Sequence, residues 1–355
     1  MTNRSVAGRW NSFFVTTQGD VYACGMNSKG QNGTPNVGGQ PRFLVKQVPI
    51  PASIVSVATG LSFTLFLEDF GNVWVSGEGC DGISTTVPRK IENFAEVEGI
   101  YCGDCHALFL KADGSVWVFG SNEFGQLGIA ETSLQGSPIQ VTMFPNAIVD
   151  ISCGRSCTVL IDCQGIVWAG GRSGVWPGNR IMSPLDLPGL PTVKSVTCGN
   201  THHYFLCEDA SVWRQGRLNN TTDLKKIVFE KTKQLCIVQM AAGGNHCLFL
   251  DSDGSVWGFA SNFHGQLGLG DKKTRILPAK IKLDKKILYV GCCDSHSFIV
   301  DEELRVWTFG SNEYGQLAIT YEEIEPCSVV PQLVTQLDSI RYLGQKSVQL
   351  KSARK

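Results

Sequence analysis

The sequence predicts an all-β protein, a seven-bladed β-propeller, and three observations lead there. A Val-aromatic pair recurs seven times, at Val21-Tyr22, Val73-Trp74, Val116-Trp117, Val167-Trp168, Val212-Trp213, Val256-Trp257 and Val306-Trp307. The steps between the aromatics are 52, 43, 51, 45, 44 and 50 residues. Upstream of most pairs runs apolar-x-x-apolar-x-Cys-Gly-x-x-His, and downstream of several runs a glycine-bounded turn, GSNEFGQLG at 120–128 being the fullest copy. Each unit reads as short β-branched or aromatic strands separated by glycine turns, with no apolar stripe of helical period. About four strands in ~47 residues is the size of a propeller blade.

The first unit is incomplete. Where later units begin with an apolar strand it has Thr2, Ser5 and Ala7, followed by the turn Gln18-Gly19 and a weak turn copy, GMNSKGQNG, at 25–33. The second unit runs from Ile54 through Phe63 to Trp74. The third is the most regular: Val97, Ile100, Cys102-Gly103-Asp104-Cys105-His106, an apolar run at 107–110 and the hairpin signal Asp113-Gly114, where glycine relieves the strain of positive φ. The fourth (Ile148 to Cys157) and fifth (Val193 to His202) lack the GQLG turn and have Ser173–Gly178 and Arg217–Asn220 in its place. The sixth keeps His246, Asp253-Gly254 and ASNFHGQLG at 260–268, and the seventh keeps His296 and GSNEYGQLA at 310–318.

After the seventh unit, Leu337, Ile340 and Tyr342 repeat the missing first pattern, offset by one residue. An open ring would leave two unpaired sheet edges. Residues near 337–343 are therefore expected to pair with the N-terminal strands and close the ring. The expected domain is 1–343, with 344–355 a short basic tail.

Composition bounds the function. The formal net charge is −1 with 18% charged residues, so no global field draws the chain to nucleic acid or a membrane. No stretch has the length of a signal-peptide core or a membrane span. A cytoplasmic protein is expected, with the nucleus as the alternative, and its 14 cysteines are expected as thiols.

GSNEFGQLG is not a phosphate-binding loop, because Gln126 and Leu127 stand where Lys and Ser or Thr are needed. Cys102-x-x-Cys105-His106 spells a haem-attachment pattern, yet Cys102 and His106 recur in other units without the second cysteine. His106, His202, His246 and His296 form a column at one repeat position, where hydrogen bonding to the backbone of their own turn is expected. His203 and His264 lie outside the column and are expected to be exposed. No Ser-His-Asp arrangement can be argued from spacing, and no cofactor, metal, small-molecule substrate or covalent catalysis is expected.

The Trp-Asp dipeptide of one large propeller class is absent. The combination of CGxxH, DGSVWxFG and SNExGQLG instead resembles the repeat of the regulator-of-chromosome-condensation family, over nearly the whole chain. The resemblance implies a propeller with one of two uses, a protein-binding platform or guanine-nucleotide exchange on a small GTPase. In the exchange factors the working residues lie in the turn between Gly and His. By unit order this chain offers Asp104, Ser156 and Asn245 there, with Asp294 a further acid in unit seven. The family's wedge loop has no evident counterpart within 121–147.

The turn residues between Gly and His are expected to share one face. They are Arg9 and Trp10, Leu61 and Ser62, Asp104 and Cys105, Arg155 and Ser156, Asn200 and Thr201, Gly244 and Asn245, and Asp294 and Ser295. They vary from unit to unit while the strands stay alike, and Arg and Trp are enriched among binding hot spots. Trp10, Asp104, Arg155, Asn245 and Asp294 are the expected partner-binding residues, and the expected partner is a protein.

Overall fold

The computed structural model describes residues 9–35, 44–78, 84–130, 134–173, 179–216, 223–229, 235–319 and 326–337. Among them, strands form seven antiparallel sheets, one for each unit of the repeat. Blade 1 holds β1 (Asn11–Val15), β2 (Val21–Gly25) and β3 (Lys46–Gln47). Blade 2 holds β4 (Ile54–Thr59), β5 (Phe63–Glu68), β6 (Val73–Glu78) and β7 (Ser84–Lys90). Blade 3 holds β8 (Val97–Cys102), β9 (His106–Lys111), β10 (Val116–Gly120) and β11 (Gln135–Val141). Blade 4 holds β12 (Ile148–Cys153), β13 (Cys157–Asp162), β14 (Val167–Gly171) and β15 (Asn179–Pro184). Blade 5 holds β16 (Val193–Cys198), β17 (His202–Cys207), β18 (Val212–Gly216) and β19 (Lys225–Lys226). Blade 6 holds β20 (Ile237–Ala242), β21 (His246–Asp251), β22 (Val256–Ala260) and β23 (Arg275–Lys280). Blade 7 holds β24 (Ile287–Cys292), β25 (His296–Asp301), β26 (Val306–Ser311) and β27 (Cys327–Leu333).

The aromatic of each Val-aromatic pair is the second residue of its blade's third strand, or of β2 in blade 1. All seven face equivalent partners: Tyr22 pairs with Phe14, Trp74 with Phe66, Trp117 with Phe109, Trp168 with Leu160, Trp213 with Phe205, Trp257 with Phe249 and Trp307 with Ile299. The indole nitrogens are tethered to the preceding hairpin. Trp257 and Trp307 donate to Asp251 and Asp301 at 3.0 and 2.9 Å, and Trp74 donates to Glu68 at 2.8 Å.

Alternation along each strand sends apolar side chains to both sheet faces, so each blade is buried on two sides. The core is accordingly split into seven clusters, each between consecutive blades. Leu65, Val75, Phe109 and Phe119 fill the gap between blades 2 and 3. The cluster between blades 7 and 1 joins Phe298, Val306, Val334 and Leu337 to Phe14 and Cys24, so the ring is closed by packing as well as by order.

A repeated polar clasp accompanies the packing. His106 Nε2 lies 3.0 Å from Thr158 Oγ1 of the next blade, and that hydroxyl donates to the Gln126 carbonyl at 2.8 Å. His246, Ser297 and Gln266 repeat this at 2.8 and 2.9 Å. His296, Ser12 and Gln316 repeat it at 2.8 and 2.8 Å across the seam between blades 7 and 1. Since the single hydroxyl proton goes to the carbonyl, the imidazole is the donor and its Nε2 carries the hydrogen. Three of the four column histidines thus bond to the neighbouring blade, not to the backbone of their own turn as the sequence suggested, while the Nε2 of His202 has no partner among the described residues. Burial pushes these imidazoles down, to about 4 for His106 and about 3 for His246 and His296.

GSNEFGQLG is a self-braced turn. Asn122 Oδ1 accepts from Leu127 N at 2.9 Å, its amide donates to Ile129 O at 3.0 Å, and Gln126 Oε1 accepts from Phe124 N at 2.9 Å. Blades 6 and 7 repeat the pattern with Asn262 and Gln266 and with Asn312 and Gln316.

Some expectations are corrected. His203 is fully buried, because it occupies the second position of β17 where other blades place the clasp hydroxyl. His264 is exposed as expected. Thirteen cysteines are free thiols, three of them exposed (Cys105, Cys163 and Cys236), and Cys80 lies outside the described residues. The expected closing strand at 337–343 falls on residues 338–343, also outside them. Its first member, Leu337, ends a short 3-10 turn (Thr335–Leu337) and is fully buried in the cluster between blades 7 and 1.

Candidate partner-binding face

Each column position opens its strand opposite the end of the following one. His106 pairs with Gly120, His202 with Gly216, His246 with Ala260 and His296 with Gly310. In blades 3, 6 and 7 the Gly-His turn and the glycine-bounded turn that follows the aromatic strand therefore lie at the same end.

The turn glycine has a packing reason. A Cβ on Gly103 would lie 2.1 Å from His106 Cε1 and 2.5 Å from the Gly154 carbonyl. Only glycine lets the imidazole fold over its own turn while the next blade's turn approaches. Successive turns are also joined by backbone bonds. Leu61 N donates to Asp104 O, Asp104 N to Arg155 O, Asn200 N to Gly244 O and Gly244 N to Cys293 O, at 2.8 to 3.1 Å. They form the inner collar of this face.

Four of the five expected residues meet at this collar. Arg9 of blade 1 reaches Asp104 of blade 3 (Nη1 to Oδ2, 3.4 Å) and Asp294 of blade 7 (Nε to Oδ2, 3.6 Å). Arg155 of blade 4 contacts Asp104 at 3.2 Å. Asn200 of blade 5 donates to Asp294 at 3.1 Å. Blades 1 and 3 are not neighbours, nor are blades 5 and 7, so these links span the ring axis. Trp10 joins through Arg9, whose guanidinium lies 5.0 Å from its ring, and it packs on Tyr314 with centroids 5.8 Å apart. Asn245 is exposed and stands apart from the ion network, tied to its own blade by its carbonyl, which accepts from Ser261 N.

Arg9 and Asn200 complete the cluster, and the sequence marked them only as members of the turn set. Their signal was side-chain reach, which a repeat pattern does not encode. Asp104 is drawn in opposite directions. Burial raises its pKa, Arg9 and Arg155 lower it, Asp294 raises it, and the net effect is above the usual carboxylate value.

Both aspartates and Arg9 are about one-fifth exposed, and Arg155 is 57% exposed. Ion pairs this wet contribute about 0–1 kcal/mol each to stability. The cluster is thus weak as a stabiliser, while its charge and its Trp suit recognition. His106, the neighbour of Asp104 and Cys105, is buried and directs its Nε2 to Thr158.

The family model for the RCC1-like domain matches residues 79–352, and that for the regulator of chromosome condensation (RCC1) repeat matches residues 6–31. The E3 ubiquitin-protein ligase HERC2 of Homo sapiens is 29% identical over 330 residues, covering 82% of this chain and 7% of its own length. The ultraviolet-B receptor UVR8 of Arabidopsis thaliana is 25% identical over 314 residues, covering 81% of this chain and 71% of its own. Among solved structures, Prp20p from Saccharomyces cerevisiae, described with its binding to Gsp1p and histones, superposes with a TM-score of 0.80 at 20% identity. That match covers 96% of this chain and 95% of Prp20p.

Proposed function

The chain belongs to the family of RCC1-like domains, and from that membership we propose that it is a regulatory propeller that docks a protein partner on the face bearing the Gly-His turns. The observation that supports this most is the network of Arg9, Asp104, Arg155 and Asp294 with Trp10, which gathers charge and an aromatic from several blades at one partly exposed point. The residues there differ from blade to blade while the strands stay alike, as expected where loops bind and the scaffold holds them.

The test is affinity capture with Asp104→Ala, Arg155→Ala and Asp294→Ala combined. A control variant carries Glu98→Ala, Lys194→Ala and Leu288→Ala. These are exposed second residues of β8, β16 and β24, at the opposite end of the blades. The first variant is expected to lose its partners and the second to keep them; the reverse result would place the interface on the other face.

A second use, nucleotide exchange on a small GTPase, is favoured by Asp104, an acid held in the same turn that supplies the exchange residues of the family. Prp20p, the similar structure, is described with Gsp1p. A nucleotide-release assay on a panel of small GTPases, with Asp104→Ala as the comparison, tests it. Histones join the capture panel because Prp20p is described with them as well, although the charge balance gave no reason to expect chromatin. We place the protein in the cytoplasm or nucleus, with 1–343 as the propeller and 344–355 as a basic tail. Among the described residues no helix is long and apolar enough to cross a membrane.

A further inference from the structure

The outer edge of blade 6 differs from the rest of the molecule. Residues 271–286 hold seven Lys or Arg against two Asp, on a chain whose formal net charge is −1. Within this stretch β23 is the outermost strand of its sheet, paired on one side only, with β22. Lys280 pairs with Trp257, Ala279 with Gly258 and Arg275 with Ala260, so residues 276–278 bulge opposite Phe259. Pro278 is in the bulge, and a proline has no N–H to offer an incoming strand.

The same bulge with a proline recurs in β7 (Pro88), β11 (Pro138) and β27 (Pro331). It blunts each edge against strand addition. In blade 6 it also projects two large apolar side chains, Ile276 at 66% and Leu277 at 58% exposure. Phe263, 71% exposed, projects from the preceding turn of the same blade. Around them stand exposed Lys272, Lys273, Lys280 and Lys282. Two of the basic residues in the stretch are neutralised locally, Arg275 by Asp271 at 2.8 Å and Lys285 by Glu303 at 2.7 Å. Lys280 and Lys282 have no carboxylate within ion-pair reach among the described residues.

We propose that this edge is a second docking surface, one that takes an extended acidic segment of a partner protein through apolar side chains set on Ile276 and Leu277 and carboxylates set on the flanking lysines. Charge complementarity names the occupant, since a line of lysines on an otherwise balanced protein selects for acid. The cations run from Lys272 and Lys273 before β23, through Lys280 at its end, to Lys282 after it, about ten residues or roughly 30 Å of extended chain, which suits an extended peptide. Because the bulge and its proline block backbone pairing, side chains make the contact, and the apolar pair supplies the part that salt does not screen. This surface is independent of the Gly-His face.

The probe is a fluorescein-labelled peptide of repeated Glu-Glu-Leu triplets, with an all-glutamate peptide of the same length as control. The triplet peptide is expected to bind the protein, and the all-glutamate peptide to bind at least about tenfold more weakly. Ile276→Ser with Leu277→Ser should weaken the triplet peptide about tenfold with little change in salt slope. Lys280→Glu with Lys282→Glu should weaken it at least as much and flatten the slope. Val330→Ser, an exposed residue at the corresponding bulge of blade 7, should change nothing, and melting curves confirm that each variant is folded. The inference is overturned if both peptides bind alike, if either double variant binds as the unaltered protein does, or if the peptide fails to bind. It is overturned also if phosphatidylserine vesicles, but not the peptide, are held by Ile276 and Leu277, which would make the edge a membrane surface.

Discussion

Ser12 does more than its size suggests. Its hydroxyl accepts from His296 and donates to the Gln316 carbonyl, joining residues 284 apart in sequence. The sequence showed the histidine column because its position recurs. It did not show the hydroxyl, which lies 52 residues on from His106 and 51 on from His246, in a different repeat unit. His202 is the exception: in the next blade the position that carries the hydroxyl elsewhere is Cys247, and the His202 Nε2 has no partner among the described residues. Five histidines are buried and neutral, with pKa values lowered to about 4 for His106 and His202 and about 3 for His203, His246 and His296. The unfolded chain takes up these protons below about pH 6.5, the fold only near pH 3–4, so stability falls as the pH drops through that window. Each histidine contributes up to about 1.4 kcal/mol per pH unit. Melting temperature against pH should therefore decline below neutrality before most carboxylates titrate. His106→Gln, which keeps an amide donor but cannot titrate, should make that decline shallower.

Strands and turns were the most legible level. The aromatic ruler, the hairpin signals and the GQLG turns each fall where the period puts them, because they are local and repeat. The outermost strands were not legible. They are short, as in β3 and β19, or bulged around a proline, and no alternation survives. Two glycines illustrate how a turn is constrained. At Gly103 a methyl group would collide with the His106 ring and the Gly154 carbonyl. At Gly189, with φ +82°, nothing lies within 4 Å, and alanine there meets only backbone strain of about 1–2 kcal/mol. Gly103→Ala is expected to cost more than about 4 kcal/mol, since one rigid ring and one backbone must both move. Denaturant unfolding of the two variants checks the contrast, and equal losses would mean that the turn yields easily.

At the scale of the whole molecule, seven blades and their order followed from the repeat, but the convergence at the axis did not. The repeat puts equivalent turns on one face, and it does not encode that a long side chain such as Arg9 reaches from blade 1 to blades 3 and 7. The seam between blades 7 and 1 is held also by Gln336, which donates to Ala318 O at 2.9 Å and accepts from Val45 N at 3.1 Å. Gln336→Ala with Leu337→Ala should lower stability by about 2–5 kcal/mol, the range for emptying a buried leucine site. Thermal melting that matches the unaltered protein would show that the seam does not depend on them. That seam has a further consequence during synthesis. Ser12 leaves the ribosome long before His296 exists, and at about 5–20 residues per second the interval is roughly 15–60 s. For that time the nascent first blade presents Phe14 and Cys24 without their cover, so synthesis of the seventh blade decides when the first stops needing a chaperone.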